Sequence, residues 1–504
     1  MPPLVATILF FLGILVLFAL DRQANGRTSK ALWIPVMWLL IGGSRNISEW
    51  LHMGSPMSQG ERYLEGSPLD RAVLGALIIF GLIVLLTRPR QVGAVLRASA
   101  PVLLYFVYCG MSSLWSDHPD VAFKRWIRAV GDVVMILVVL TDTDWLVALK
   151  RVLTRVGFLL LPLSVLLIRY YPNLGRGYSI SGETMFWTGV TSDKNGLGMI
   201  CLVFGLGNLW YLIEIYKEQK GPERTRSLVA HGILVLITLW LLWESNSMTS
   251  ISCFALAAAL MVAAGRWPLA RKPVVVSLLA ATAVAFSAFA LFSGGAGGLL
   301  QTMGRNPTLT GRTEVWKAIL PFAQNPIFGS GYESFWLGDR LVTIGQMINS
   351  PGIQEAHNGY LEIYLNLGWI GLALLALIIA MGYRRVVVLT LRQHPNTGKL
   401  MLAYFVLALI YNFTEAGFKM QNPVWIFFLL AVMAIPKATV SEGLATLQVG
   451  PINNFKLSKT QGNWRLVDSE HCNSNGSQQG DGTAIGFGRS VPSDKSEQPT
   501  VSLT

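Results

Sequence analysis

Apolar and polar positions fall along this chain in long alternating blocks. Apolar runs near 3–20, 31–50, 72–87, 101–115, 129–141, 152–168, 196–216, 228–243, 248–264, 273–292, 366–383, 400–413 and 424–436 are separated by polar loops. A straight helix needs roughly 20 apolar residues to cross a bilayer, so the shorter runs must extend into their flanks. The pattern predicts an all-α, polytopic integral membrane protein with about 12–14 transmembrane helices over residues 1–436. The longest polar interval runs from Ser293 to Gly371. Its segment 294–356 is a large loop with short amphipathic helices. Trp316, Phe322, Phe328, Tyr332, Phe335 and Trp336 are too many aromatics for a solvated tether. Arg312, Trp316, Ile319 and Leu320 fall at i, i+4, i+7 and i+8, one face of a helix that Pro326, Gly329 and Gly331 bring to an end. Arg312 therefore sits on an apolar face, where an unpaired cation is costly. It needs an anionic partner: Glu333, Glu355 or a ligand. Residues 437–504, rich in Ser, Gly, Gln and Asp, predict a disordered tail.

Composition agrees with a membrane protein. Of 504 residues, 52% are hydrophobic and only 13% charged, about half the charged share of a soluble domain. The net charge of +12 would suggest nucleic acid in a soluble chain, but here it divides by membrane side, and no nucleic-acid partner is expected. Cys109, Cys201 and Cys253 lie in apolar runs and Cys472 in the tail, with neither disulfide nor zinc spacing. Alternate loops carry Arg22 and Arg27, Arg88 and Arg90, Lys150 and Arg151, Lys217 and Lys220, Arg271 and Lys272, and Arg384 and Arg385. These mark the cytoplasmic side, which puts the large loop outside and the tail in the cytoplasm. The outward loops still group cations: Lys124, Arg125 and Arg128; Arg169, Arg176 and Lys194; and Arg305, Arg312, Lys317 and Arg340. Cations on the disfavoured side point to an anionic ligand. The alternative is pairing with acids such as Asp117, Asp132, Glu183 and Glu314.

His357 stands where the large loop re-enters the membrane. Glu355 lies two residues before it, and Tyr360, Leu361 and Tyr364 share a face of the helix that follows. An imidazole there, with an ordinary pKa of ~6.5, can take a proton from a hydroxyl at the membrane surface.

His357-Asn358, then nine residues, then Gly368-Trp369-Ile370-Gly371 resembles the His-Asn signature of the O-antigen ligase and Wzy-type polysaccharide polymerase superfamily. GRTEVW (Gly311 to Trp316), NPIFGSGYESF, SDKNGLG (Ser192 to Gly198) and SSLWSDHPDVAFKRW resemble other outward segments of that family. The whole is most like its exopolysaccharide-production polymerases. The resemblance implies an enzyme of the bacterial inner membrane. It would transfer oligosaccharide from a polyprenyl diphosphate carrier to a glycan hydroxyl at the periplasmic face, without metal or other cofactor. Other polysaccharide assembly proteins would be further partners. Arg312 would be a diphosphate ligand through the GRT motif, and Lys194 belongs to the matching KN motif. His357 would be general base or acceptor orienter, with Asn358 or Glu355 holding its ring. Arg125, Arg128 and Arg176 are candidate diphosphate contacts from charge and placement alone.

Two rival classes share this composition. A secondary transporter would need ionisable residues in mid-membrane and paired broken helices. A non-catalytic subunit of an export complex would need no His357. Asp142-Thr143-Asp144 has the spacing of a metal-binding acidic pair, but it falls in a cytoplasmic loop beside Lys150 and reads as an ordinary loop.

Overall fold

The computed structural model of this protein describes residues 1–21, 28–51, 66–178, 184–218, 220–266, 273–292, 312–323, 325–348, 353–389, 394–434, 455–460 and 463–468. Arg22, Arg27, Glu183, Arg271, Lys272, Arg305, Gly311 and Cys472 lie outside the described residues. The architecture is all-α, as the apolar blocks predict. Among the described residues, six helices are long and apolar enough to cross a membrane: Pro3–Leu20, Pro68–Leu86, Trp145–Tyr170, Lys194–Lys217, Pro222–Ser245 and Gly359–Val388. Pro89–Ala98 and Ala100–Trp115 make a seventh if that pair, bent by 85°, is one span.

Two features keep other apolar runs among the described residues from that group. Some apolar runs fold into helices too short to span, as in Lys30–Gly42, Met248–Ala264 and Pro423–Met433. The run at 129–141 is the second half of a helix, Pro119–Leu140, whose first half carries Asp120, Lys124, Arg125 and Arg128.

The outermost helices are apolar all round and expose that surface. Pro3–Leu20 presents Leu4, Ile8, Phe11, Leu12 and Leu15 outward, a face suited to lipid. At the other extreme, every side chain of Pro423–Met433 is buried. This short helix packs against Pro395–Tyr411, Gly359–Val388, Pro119–Leu140 and Lys194–Glu218. Eleven helical residues reach only ~17 Å. The preceding segment, Asn412 to Asn422, completes the path through the interior as turns rather than helix. Its buried backbone groups must therefore find partners elsewhere.

The helix Gly359–Val388 is broken at Gly368, whose φ of 64° and ψ of −162° are accessible essentially to glycine alone. The turn 326–331 fills the break. Trp369 N–H donates to the Pro326 carbonyl at 2.9 Å, Ser330 N–H to Leu365 O at 3.0 Å and Gly331 N–H to Asn366 O at 2.9 Å. The Tyr108 hydroxyl donates to the freed Leu367 carbonyl at 3.0 Å. A Cβ on Gly368 would stand 2.2 Å from the Ile327 carbonyl oxygen, and one on Gly371 2.3 Å from Leu367 Cβ. The two glycines of the signature are thus a packing requirement.

The described part of the large loop has a small core of its own. Ile319, Phe335, Trp336, Ile344, Ala356 and Leu365 are buried together, with Trp316 and Tyr364 against them. Arg312–Ile319 and Gly338–Met347 supply its helices.

The chain divides into two compact units, Met1–Ser441 and Glu442–Thr504. Within the second, the described residues form an antiparallel hairpin, Phe455–Thr460 with Asn463–Asp468. Of the stretch 437–504, which the sequence predicts to be a disordered tail, these 12 residues are the ones the structure describes. Leu457 is paired with Leu466 and Lys459 with Trp464, and the two segments are more apolar than the Ser- and Gly-rich stretches that follow.

Candidate active site

The site is assembled around Ala356, which is fully buried. Its carbonyl accepts the Trp316 indole N–H at 2.8 Å, and its own N–H donates to the Glu362 carboxylate. Glu362 also takes the Trp336 indole N–H at 3.0 Å. The aromatics of the large loop and the first turn of the following helix thus clamp the residue just before His357. Asn358 caps that helix, its Oδ1 accepting from Tyr360 N and Leu361 N, both at 3.0 Å. Its amide donates to the Phe413 carbonyl at 3.1 Å. Gly359 N–H reaches the carbonyls of Asn412 and Glu415 at 2.9 and 3.1 Å. A Cβ on Gly359 would lie 1.8 Å from Asn412 Oδ1. His357 is driven into the left-handed region, with φ of 50°, a conformation few non-glycine residues adopt.

Five side chains then form a line of alternating charge. Arg312 Nη2 meets Glu415 Oε1 at 2.7 Å. Glu415 Oε2 faces His357 Nδ1 at 3.4 Å, and Glu355 Oε1 faces the same nitrogen at 3.0 Å. Lys419 Nζ meets Glu355 Oε2 at 2.5 Å. The Asn195 amide reaches Glu415 Oε2 at 3.4 Å. Glu415 is the deepest, with 5% of its side chain exposed, while His357 retains 33%. Burial alone would lower the His357 pKa. Hydrogen bonds and charge from Glu355 and Glu415 overcome it and raise the pKa to about 9. Burial works against the Glu355 carboxylate as well, but Lys419 and His357 hold it well below the usual carboxylate range. Nearby Glu333 is pushed up by burial, which Arg125 and Lys419 oppose.

Glu355, His357 and Glu415 each present a donor atom, all within 4.8 Å of one another, a grouping a divalent cation could use. In this arrangement Arg312 and Lys419 each take one carboxylate oxygen, and both remaining oxygens face Nδ1. The cluster's negative charge is balanced by its own side chains.

The expected residues separate clearly. His357, Glu355 and Arg312 come together. The partner of Arg312 is Glu415, rather than the Glu333 or Glu355 weighed from the sequence. Glu355 holds the His357 ring, and Asn358 holds the helix instead. Arg125 donates to the Glu333 carbonyl, and Arg128, one turn on and half-buried, lies within electrostatic reach of Glu333. Arg176 stacks on Trp187, 4.8 Å from its centroid, in the small hairpin of Arg176–Tyr178 and Met185–Trp187. It shares no hydrogen bond or ion pair with the cluster among the described residues. Lys194 is exposed, and its neighbour Asn195 makes the contact.

Two of the cations read from the sequence as outward and awaiting a ligand are paired with acids: Arg340 with Asp117 at 2.6 Å and Arg169 with Glu244 at 3.9 Å. The pair Asp142 and Asp144 is structural. Asp142 binds Arg88 at 3.3 Å, and Asp144 caps the helix Trp145–Tyr170. Sequence reasoning missed Glu415, Lys419 and Asn195. A signal existed for two of them: Glu415 and Lys419 are the only charged residues between Lys399 and Lys437.

Comparison with known proteins bears on this geometry. Residues 232–376 match the O-antigen ligase family model. Over 292 residues the chain is 24% identical to the exopolysaccharide production protein ExoQ of Rhizobium meliloti (strain 1021). That match covers 56% of this chain and 64% of the relative, less than two thirds of its length. Both findings support the superfamily that the His357-Asn358 signature resembles. The family match takes in His357 and Gly371, whereas Glu415 and Lys419 lie beyond it.

Proposed function

We propose, with the O-antigen ligase and Wzy-type superfamily as premise, that this protein is a membrane glycosyltransferase of polysaccharide synthesis. It moves oligosaccharide from a polyprenyl diphosphate donor onto a glycan hydroxyl at the periplasmic face of the bacterial inner membrane, in exopolysaccharide or O-antigen assembly. The observation that carries this reading is the seating of His357. Both carboxylates engage Nδ1, which leaves Nε2 as the ring atom that can take a proton. The acceptor oxygen bonds to the anomeric carbon and passes its proton to Nε2. The bond from that carbon to the diphosphate oxygen breaks, and its electron pair leaves with the diphosphate. Arg312 and Lys419 flank the position and meet the departing charge. Arg312 has five N–H donors and can keep Glu415 while it binds a phosphate oxygen. In this reading side chains do the work of a metal ion.

The high proton affinity of His357 favours a second reading, in which the imidazolium itself faces the diphosphate and no base is needed. The two differ in pH dependence. The test of the transfer reading is to incubate the purified protein in nanodiscs with a defined polyprenyl diphosphate oligosaccharide. A ladder of longer glycans identifies a polymerase, and a single addition to a different acceptor identifies a ligase. Donor that stays unchanged, or crosses the membrane intact, contradicts transfer.

A further inference from the structure

The helix Pro119–Leu140 carries Arg125 and Asp132 two turns apart on one face. Each reaches a backbone group in a left-handed turn of a different segment. Arg125 takes the carbonyl of Glu333, whose φ is 52°. Asp132 Oδ2 accepts the N–H of Gln421 at 2.9 Å, and Gln421 has φ of 59°. Asp132 is fully buried. Its other oxygen accepts the Trp38 indole N–H at 2.8 Å. Gln421 ends the non-helical segment that brings Glu415 and Lys419 to the site, and it precedes the Asn422 cap of the central buried helix. A left-handed non-glycine residue costs ~1–2 kcal/mol and persists only where its surroundings hold it. Here the surroundings are the Asp132 carboxylate and the close approach of Gly42, where a Cβ would stand 2.5 Å from the Gln421 carbonyl oxygen.

We propose that Asp132 is a positioning residue: by fixing the Gln421 N–H it seats the segment 412–421, and so holds Glu415 against His357 and Arg312. The function of the cluster rests on the reading above, but the seating can be tested without any transfer. Glu415, with Glu355, surrounds His357 Nδ1, and Lys419 and Arg312 back those carboxylates. Glu333 lies behind Glu355, and Arg128 faces Asp132 from one turn earlier on the same helix. If the segment slips, Glu415 withdraws and His357 binds its proton less tightly.

The experiment titrates the His357 ring by NMR in full-length, histidine-labelled protein in nanodiscs, with the signal assigned by its loss in His357→Gln. The wild-type midpoint is expected near the raised value, about 9. Asp132→Asn offers one acceptor to two donors, so the Gln421 N–H competes with Trp38 for it. The midpoint should fall part of the way toward ~6.5, because Glu355 still faces Nδ1 at 3.0 Å. Trp38→Phe removes the competing donor together with some packing, leaves the Asp132 carboxylate on Gln421, and should leave the midpoint in place. Combining Asp132→Asn with Trp38→Phe frees the amide oxygen for Gln421 and should restore most of the shift, an outcome that loss of packing alone would not give. A folded Asp132→Asn protein with an unchanged midpoint overturns the proposal. If the single variant does not fold, a folded double variant titrating well below the wild type overturns it as well. Absence of glycan product from wild-type protein would instead refute the transfer reading and leave the titration result standing.

Discussion

His357 binds a proton more tightly than a free imidazole because two carboxylates, one backed by Lys419 and the other by Arg312, meet the same ring nitrogen. If the neutral ring is the base, turnover should rise roughly tenfold per pH unit and level off near pH 9. A rate that holds to pH 9 and then falls would assign the work to the imidazolium. The same shift has a stability sign. A group whose folded pKa is raised contributes fully below its unfolded value, ~6.5, and that contribution is lost as pH climbs through the folded value. Two of the site's central residues were legible in the sequence: His357 from its signature, and Arg312 because a cation on an apolar helix face demands a partner. Glu415 stood out only as an isolated charge in an apolar stretch; it sits 58 residues from His357, and only the fold shows that the two meet.

Helix type was written plainly in the apolar blocks, but helix length and straightness were not. The helix Gly359–Val388 reads as one span, yet it breaks at Gly368, and the backbone groups freed there are satisfied by a turn some forty residues earlier in the chain. That pairing is a tertiary fact that no periodicity reports. It gives the signature glycine a sharp test. Gly368→Ala must pay the cost of an ε-region backbone, of order 1–3 kcal/mol, and it drives a methyl into the Ile327 carbonyl. Thermal unfolding in detergent should show a lowered midpoint, with the 326–331 turn becoming susceptible to protease. A variant as stable as wild type would mean that the break is not enforced by this residue. Likewise, the run at 424–436 looked like an ordinary span. All eleven residues of Pro423–Met433 are buried, because this helix lies at the centre of the bundle rather than against lipid.

Across the described part of the molecule, four distant stretches supply one cluster: 192–198, 312–316, 355–359 and 412–421. The first three carried motifs that could be read in the chain, whereas the fourth looked like a short loop between two apolar runs. What unites them is the last, whose Glu415 and Lys419 are the only charges between Lys399 and Lys437 in sequence; Arg312 and Glu355 balance them and the Asn195 amide adds a hydrogen bond. In the proposed reading, donor recognition and proton transfer fall to different members of the cluster. Arg312→Ala should weaken donor binding together with turnover, and Arg312→Lys, which keeps charge but loses the fork, should recover only part of both. The most direct measurement is turnover beside donor affinity for His357→Ala, in protein whose insertion and folding match wild type. Loss of base assistance should lower turnover by ~10²–10⁴ while the donor still binds. A His357→Ala protein that transfers glycan at the wild-type rate would contradict the assignment of this cluster as the catalytic site.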